Sequence, residues 1–412
     1  MSSSTSNSAA SPVSLGQDAR LIGLVGGGHL MSHFSQLLLA PLFPWLKDAF
    51  QVGYIELGFL MTVFFIASCA TQAGSGFLVD RHGPRPILLA GLAILGVAAF
   101  GMAASPSYWV LAFWTGLAGV GNGVFHPVDY TLLNRKVSPA RLGHAYSVHA
   151  ITGSLGWALA PALLVPLTIA FSWRVALAGA GVLVFVVWAV LWLQRERLQV
   201  PMPDRSAPGE SSAAGGSFGF LRIPSVWVCF WFFVCWASVT TAVQAYAPHS
   251  TRYIHGVPVA LAAMCLTIYL LCSAAGTLLG GFLISNPQRA ERIIGCGFGV
   301  AALVALVLGF AKLPVMAVPV LFGLMGFCSG TAGPSRDLLV KRSTPPNASG
   351  RVYGVVYSGI DIGQATAPLA FGLLMDRQNF HGVWIGLVAL QLLLITSAFQ
   401  MRRVQRPVAV PA

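Results

Sequence analysis

Charge is what this chain has least of. Only 9% of its 412 residues are Asp, Glu, Lys or Arg, against roughly 25% in a water-soluble globular domain. A deficit of that size excludes an ordinary soluble core and implies surroundings made mostly of hydrocarbon. Acid is scarcer still, with 12 Asp and Glu against 24 Lys and Arg and a net charge of +12. Those basic residues stand in short loops between apolar runs, a pattern of membrane topology and not of a nucleic-acid interface. Cysteine is sparse and scattered. Cys69, Cys229, Cys235, Cys265, Cys272, Cys296 and Cys328 all fall in apolar runs without CxxC spacing. That excludes a disulfide framework and a thiolate zinc site, and leaves buried thiols acting as small hydrophobes. The opening MSSSTSNSAASPVSLGQDAR has neither a basic start nor a cleavage site before the first apolar run, so it reads as a disordered tail and not a signal peptide.

Apolar residues are abundant instead, at 56% of the chain, with a mean hydropathy of +0.74. About 20 apolar residues cross a bilayer as a helix. Runs between charged or Pro/Gly breaks predict twelve such helices, over 20–44, 54–79, 86–104, 107–134, 142–168 and 172–193, then 225–249, 257–284, 291–311, 313–340, 350–376 and 380–400. The fold class is therefore an all-α polytopic membrane protein. Residues 1–19 form the tail, 20–193 and 225–400 two six-helix bundles, 194–224 a flexible linker on the cytoplasmic side, and 401–412 a second tail. With the N-terminus in the cytoplasm, the odd-numbered loops hold five basic residues, Lys47, Arg174, Arg252, Lys312 and Arg377. Apart from Arg336 inside a helix, all the others lie in the tails and even-numbered loops. That asymmetry puts both termini in the cytoplasm, and the membrane expected is the inner membrane of a bacterium.

The two bundles repeat. A shift of 207 positions superposes Pro127 on Pro334, Arg135 on Arg342, Pro139 on Pro346, Gly143 on Gly350, Tyr146 on Tyr353, Gly156 on Gly363 and Pro161 on Pro368. Parallel six-helix repeats about an axis along the membrane normal describe a two-bundle transporter.

Here the chain resembles the major facilitator superfamily, over nearly its whole length. GFLVDRHGPRP, Gly76 to Pro86, resembles that family's G-x-L-x-D-R-x-G-R-[KR] loop, with Pro84–Arg85 where the family has two basic residues. The resemblance implies a conformational latch between the halves, assigned to Gly76, Asp80, Arg81, Gly83 and Arg85. Its second-half counterpart, GFLISNPQR, lacks the acid. Ser147, Gly156 and Ala160–Pro161 on helix 5, with Gly354, Gly363 and Ala367–Pro368 on helix 11, resemble the G-x8-G-x3-G-P pattern of drug/proton antiporters. Such small residues also suit plain close packing. Those antiporters carry an arginine on helix 4 where this chain has Thr115, so coupling through that group is not expected. GHLMSHF of helix 1 and FHP of helix 4 resemble the fosmidomycin-resistance type of exporters.

Ionisable residues inside a membrane default to function, because each costs about 2.5–3.5 kcal/mol at a helix centre on insertion scales. His29, His33 and Gln36 share a face of helix 1. Asn122, His126 and Asp129 repeat that spacing on helix 4, and Tyr353, Tyr357, Asp361 and Gln364 line helix 11. By resemblance helices 1, 4, 7 and 10 line a central cavity. At 1.5 Å per residue His126 lies about 13 Å above Arg135, near mid-bilayer, and Asp129 about 9 Å in. His29, His33, Gln36, Asn122, His126, Asp361 and Gln364 are the candidates for substrate and protons, with Gln244 and Tyr246 added from helix 7. Pro127 should free a carbonyl and bend helix 4. Asp129 and Arg336, symmetry-equivalent and of opposite charge, form a candidate cytoplasmic gate with Asp337 and His149, pairing when that side closes. The alternative is that each pairs within its own half. Helix packing is assigned to Pro127, Gly156, Pro161, Gly363 and Pro368. His82, His144, His249, His255 and His381 stand at helix ends and read as interfacial.

The reading is a secondary active transporter, a proton-coupled exporter of a small organic compound. Uptake of a small organic anion is the alternative within transport. A different class is an intramembrane enzyme or metal-binding protein using His29, His33 and His126. No Cys or carboxylate completes a metal shell at a suitable spacing, and no nucleophile elbow is present. No GxxxxGK[ST] occurs either, so energy should come from an ion gradient and not from ATP. No cofactor, metal or nucleic acid is expected. The partners are the solute, protons and membrane lipid, and a single chain carrying both bundles need not associate.

Overall fold

The structure is a computed structural model, and it describes residues 14–200, 224–283, 290–336 and 349–405. The extreme N-terminal tail, residues 201–223 of the linker and Asp337 lie outside the described residues. Among the described residues fifteen α-helices follow one another: α1 Leu15–Gln36, α2 Phe43–Phe50, α3 Tyr54–His82, α4 Pro84–Ala104, α5 Tyr108–Asn122, α6 Phe125–Lys136, α7 Leu142–Ala170, α8 Trp173–Leu193, α9 Pro224–Ala245, α10 Ala247–His255, α11 Val259–Leu283, α12 Ala290–Phe310, α13 Ala317–Thr331, α14 Ser349–Asp376 and α15 Phe380–Gln405. Three pairs, α1–α2, α5–α6 and α9–α10, are each one broken span, which makes the twelve spans of an all-α polytopic membrane protein.

Among the described residues nine helices are long and apolar enough to cross a membrane. The spans outside that set are α1, α5–α6 and α14. They are the three that carry the polar stripes or are broken into short pieces. Polar residues thus dilute hydropathy at the helices where the sequence concentrates its chemistry. Large apolar side chains such as Trp109, Phe113, Phe171 and Leu193 are exposed around the outside, as a hydrocarbon solvent allows and water does not.

The ends of the first span differ from expectation. α1 starts at Leu15, inside the segment assigned to the tail, because Ser14 and Gln17 form a reciprocal capping box that satisfies free helical N–H groups. Asp18, buried in its first turn, accepts hydrogen bonds from Ser138 at 2.7 Å and Arg141 at 2.7 Å. The linker also begins late. Arg195–Leu198 form a 3-10 turn with Leu198 buried, pinned where Lys136 donates to the Arg197 and Gln199 carbonyls, both at 2.7 Å.

Proline explains the break between α5 and α6. Pro127 has no N–H to give to the Gly123 carbonyl four residues earlier, and Ser75 of α3 donates to that oxygen instead, at 3.3 Å. The chain turns at Gly123 and Val124 and restarts at Phe125, so Pro127 stands in the first turn of a new helix and not inside a bent one. The second half repeats the device. Pro334 frees the Gly330 carbonyl, and Thr277 of α11 donates to it at 3.3 Å.

The repeat extends to backbone packing. A Cβ at Gly119 or Gly123 of the fourth span would collide with the Phe64 or Ser68 carbonyl oxygen of α3. Their counterparts 207 positions on, Gly326 and Gly330, would collide with the Tyr269 and Ser273 carbonyls of α11. Gly156 of α7 meets the Leu30 carbonyl of α1, and Gly363 of α14 meets that of Val234 on α9. Only glycine permits these approaches.

The two six-helix bundles join through α3 against α14 and α7 against α11. We call the side holding the chain ends the tail side and its opposite the far side. Among the described residues, the side-chain hydrogen bonds between the halves gather at the far side. Asp376 accepts the Tyr54 and Ile55 amides at 2.6 and 2.8 Å, Thr62 donates to the Ala365 carbonyl at 2.6 Å, and His249 bonds the Ala40 carbonyl at 3.2 Å. Deeper toward the tail side, Asp361 of α14 faces Cys69 of α3. One turn further a Cβ on Gly74 or Gly76 would meet nothing within 4 Å. Among the described residues, these contacts close the far side.

Candidate functional site

Within the first bundle, α1, α6 and α7 bring four imidazoles and one carboxylate together. Two sequence features make room for them. His29 and His33 are four residues apart on one face of α1. Opposite them α7 presents Gly153, where a Cβ would lie 2.9 Å from His33 Cε1 and 3.1 Å from His29 Nε2. Gly156, one turn along, sets the close crossing of α1 and α7. The α6 restart after Gly123 then presents His126 and Asp129 to the same place.

Asp129 is the hub. It is wholly buried, and its Oδ2 meets His29 Nδ1 at 3.0 Å and His149 Nε2 at 3.1 Å. Its Oδ1 has no partner. A buried carboxylate without compensation is costly, so the two imidazoles are what keep this one in place. The His29 and His149 rings stack with centroids 3.5 Å apart. His126 lies 5.4 Å from His29 and 6.2 Å from His149. It is exposed while the other two are buried, and it stacks at 6.3 Å on Tyr130, itself exposed. His33 packs on Trp157 at 4.4 Å, and neither of its buried ring nitrogens has a hydrogen-bond partner.

A second polar network continues from this cluster along α1. Trp157 donates to Gln36 at 3.0 Å, and Gln36 and Ser32 donate to Asn122 Oδ1 at 3.4 and 2.6 Å. Asn122 passes the chain to Ser68 of α3 at 2.9 Å. The structure therefore joins His29, His33, Gln36, Asn122, His126, Asp129 and His149 into one polar region of the first bundle. Sequence reasoning missed Trp157, Ser32, Ser68 and Tyr130, which are common residue types without a local signature.

The second-bundle candidates lie elsewhere. Asp361 is half-buried and Gln364 buried, both on α14. Gln244 and Tyr246 belong to the far-side seal. Tyr246 is fully buried and donates to the Pro368 carbonyl at 2.7 Å. Gln244 lines a cavity of about 20 Å³ with His249 and Arg252. His249 is likewise buried inside this seal and not interfacial, because the seventh span breaks at Tyr246 and runs on to His255. His255 and His381 end on the Leu308 and Gly309 carbonyls at 2.7 and 2.6 Å, at helix ends as expected. Not every cysteine is buried, since Cys296 is exposed.

The expected gate pair is apart. The Asp129 oxygen that has partners is held by His29 and His149, and Arg336 lies over the Trp236 ring at 4.3 Å and the Phe233 ring at 5.4 Å. No ion pair joins the two in this conformation. The latch loop behaves alike. Gly83, at φ +81, makes the turn and Pro84 starts α4. Arg85 reaches Glu196 at 3.4 Å and Gln199 at 3.2 Å within the same bundle, and Arg81 is exposed. The Asp80 side chain is outside the described residues.

The far-side contact of Asp376 carries no sequence signal of its own, since its partners are more than 300 residues away. The clue is at the other end, where α3 starts after a glycine that offers no side-chain cap.

Comparison with known proteins gives a consistent family. The profile described as Major Facilitator Superfamily matches residues 25–302 and 250–411. The fosmidomycin resistance protein of Escherichia coli K12 is 24% identical over 382 residues, covering 88% of each chain. The MFS-type transporter YfnC of Bacillus subtilis 168 is 24% identical over 380 residues, covering 90% of each. Among solved structures, a bacterial homologue of the human lysosomal transporter Spinster, inward-facing and unoccupied, superposes with a TM-score of 0.79 at 14% identity. That match covers 96% of this chain and 100% of the other.

Proposed function

The chain belongs to the Major Facilitator Superfamily, and from that premise we propose that it is a proton-coupled exporter of a small organic compound working by alternating access. The observation that carries the proposal is Asp129, buried inside the first bundle between His29 and His149. An imidazole titrates near neutrality in water, and a buried carboxylate bonded to two of them can pass a proton only along that chain. The exposure of His126 beside Tyr130 supports access of the cluster to the solute path. Proton loading and solute binding then compete for one polar region, which is what an antiporter needs. The resistance protein named above supports outward movement of solute.

The distribution of Lys and Arg supports both termini in the cytoplasm of a bacterial inner-membrane protein, which makes the tail-side opening cytoplasmic. The far-side seal of Asp376, Thr62, Tyr246 and His249 is then the periplasmic gate. Residues 20–193 and 225–400 rock against each other about α3–α14 and α7–α11. On closing the cytoplasmic side, the latch at Gly76–Arg85 engages and Asp129 meets Arg336.

Inverted vesicles with an imposed pH gradient test this. An exporter accumulates solute when the interior is acidic, and Asp129→Asn abolishes the gradient dependence. Accumulation only with the opposite gradient would replace export by uptake of an anion. No gradient dependence at all would remove proton coupling.

A further inference from the structure

Three of the imidazoles stand as a metal site would hold them. One ring nitrogen from each of His29, His126 and His149 lies within 4.8 Å of the other two. They come from three different helices, α1, α6 and α7, so the grouping is made by tertiary packing and not by one helix's spacing. We propose that these three residues bind a divalent first-row transition-metal ion, Zn²⁺ foremost, that enters from the space between the halves.

The chemistry of the donors supports this choice. Imidazole suits zinc, copper and nickel, while oxygen donors suit magnesium and calcium. Asp129 meets His29 Nδ1 and His149 Nε2, so ligation with that carboxylate kept in place would use His29 Nε2 and His149 Nδ1. A carboxylate on the far nitrogen of a ligating histidine is the usual second partner of a zinc site, fixing the tautomer and raising the basicity of the ligand. Here one carboxylate serves two ligands. Tetrahedral zinc with bonds of about 2.0–2.1 Å holds its nitrogens about 3.3 Å apart, so the rings close in by an ångström or so, and exposed His126 has the freedom to do it. Three protein ligands leave one position open. Water or an oxygen of the solute would fill that position. His33 packs beside the cluster with both ring nitrogens unpartnered, a fourth imidazole at 4.4 Å from His29.

The site needs only the first bundle and is independent of which solute is carried. If the same imidazoles handle protons, a bound metal ion competes with those protons.

The test is a binding measurement on the purified full chain in lipid nanodiscs. Titration with Co²⁺ should saturate at one equivalent with the intense visible band of a four-coordinate site, and Zn²⁺ should displace it. His126→Gln should weaken binding at least 100-fold, and Asp129→Asn about 10- to 100-fold by loss of ligand orientation. Replacing Cys296 by Ser should change nothing. X-ray absorption of the zinc-loaded wild type should show nitrogen and oxygen neighbours only, which keeps the proposal testable if a variant fails to fold. Sulfur in that shell, a stoichiometry that tracks the cysteines, or no saturable binding below about 100 μM would overturn it.

Discussion

Asp376, the last residue of α14, caps the first turn of α3 across the interface between the bundles. One carboxylate oxygen accepts the Tyr54 amide and the other the Ile55 amide, at 2.6 and 2.8 Å. α3 begins after Gly53 and has no side-chain cap of its own. The second bundle thus supplies both the missing acceptor and a negative charge at a helix N-terminus. In the proposed alternating-access cycle this contact must break for the far side to open, so it should bias the equilibrium toward the closed far side.

Asp376→Asn should therefore favour opening of the far side. A charge-assisted hydrogen bond contributes about 1.5–3 kcal/mol, and the amide keeps one acceptor, so we expect a loss of about 1.4 kcal/mol, or tenfold in the equilibrium. Labelling a cysteine placed at Ala365, in a background without the native thiols, reads this as roughly tenfold faster modification. An unchanged rate would mean the cap contributes nothing to closure.

Asp129 and Arg336 give a second prediction. In this conformation Asp129 is held by two histidines and Arg336 lies over Trp236, with no ion pair between them. If they meet when the tail side closes, Asp129→Arg and Arg336→Asp singly should each abolish transport, and the double exchange should restore part of it. A double variant as inactive as the singles would show that the two side chains never pair.

Gly156 tests the packing that assembles the site. Its position against the Leu30 carbonyl leaves no space for a methyl group, and overpacking costs about 1–3 kcal/mol. Gly156→Ala should lower thermal stability and push α7 off α1, separating His149 from His29. Gly363→Ala should do the same between α14 and α9. Gly74→Ala, with nothing within 4 Å, serves as the neutral control. Equal melting temperatures for all three would refute the close-approach argument.

These contacts also mark what could be read from the chain itself. Span number and the polar stripes of α1, α5–α6 and α14 are local properties, set by hydropathy and helical period, and they were legible. So was the carbonyl freed by Pro127, since that follows from one residue's chemistry. The hydroxyl that satisfies it, Ser75, was not. The joining of His149 to Asp129 depends on how α7 crosses α1, and the capping of Tyr54 by Asp376 on how two bundles lean together. Asp129 carries opposite charge to Arg336 at equivalent positions, and sequence symmetry alone suggested that pair. Burial favoured the nearer imidazoles instead. Partners within the first bundle won because the packing of α1, α6 and α7 brings both imidazoles to within 3.1 Å of Asp129.

Asp18 supplies the pH-dependent prediction. It lies in the first turn of α1, ahead of the membrane-spanning stretch, where burial alone would raise its pKa. Hydrogen bonds from Ser138 and Arg141, with the Arg141 charge, outweigh that and hold it below the ordinary 3.8. A depressed folded pKa means the unfolded chain takes up the proton first as pH falls. The stabilisation is therefore complete above pH 3.8 and disappears as pH drops through the lower folded value. Arg141 is partly exposed, so solvent screening limits the contribution to about 1 kcal/mol. Asp18→Asn should lower the apparent melting temperature by a few degrees at pH 7, and the gap to wild type should close toward pH 3. A gap that stays constant across that range would mean the carboxylate's charge plays no part in tying the start of α1 to the turn after α6.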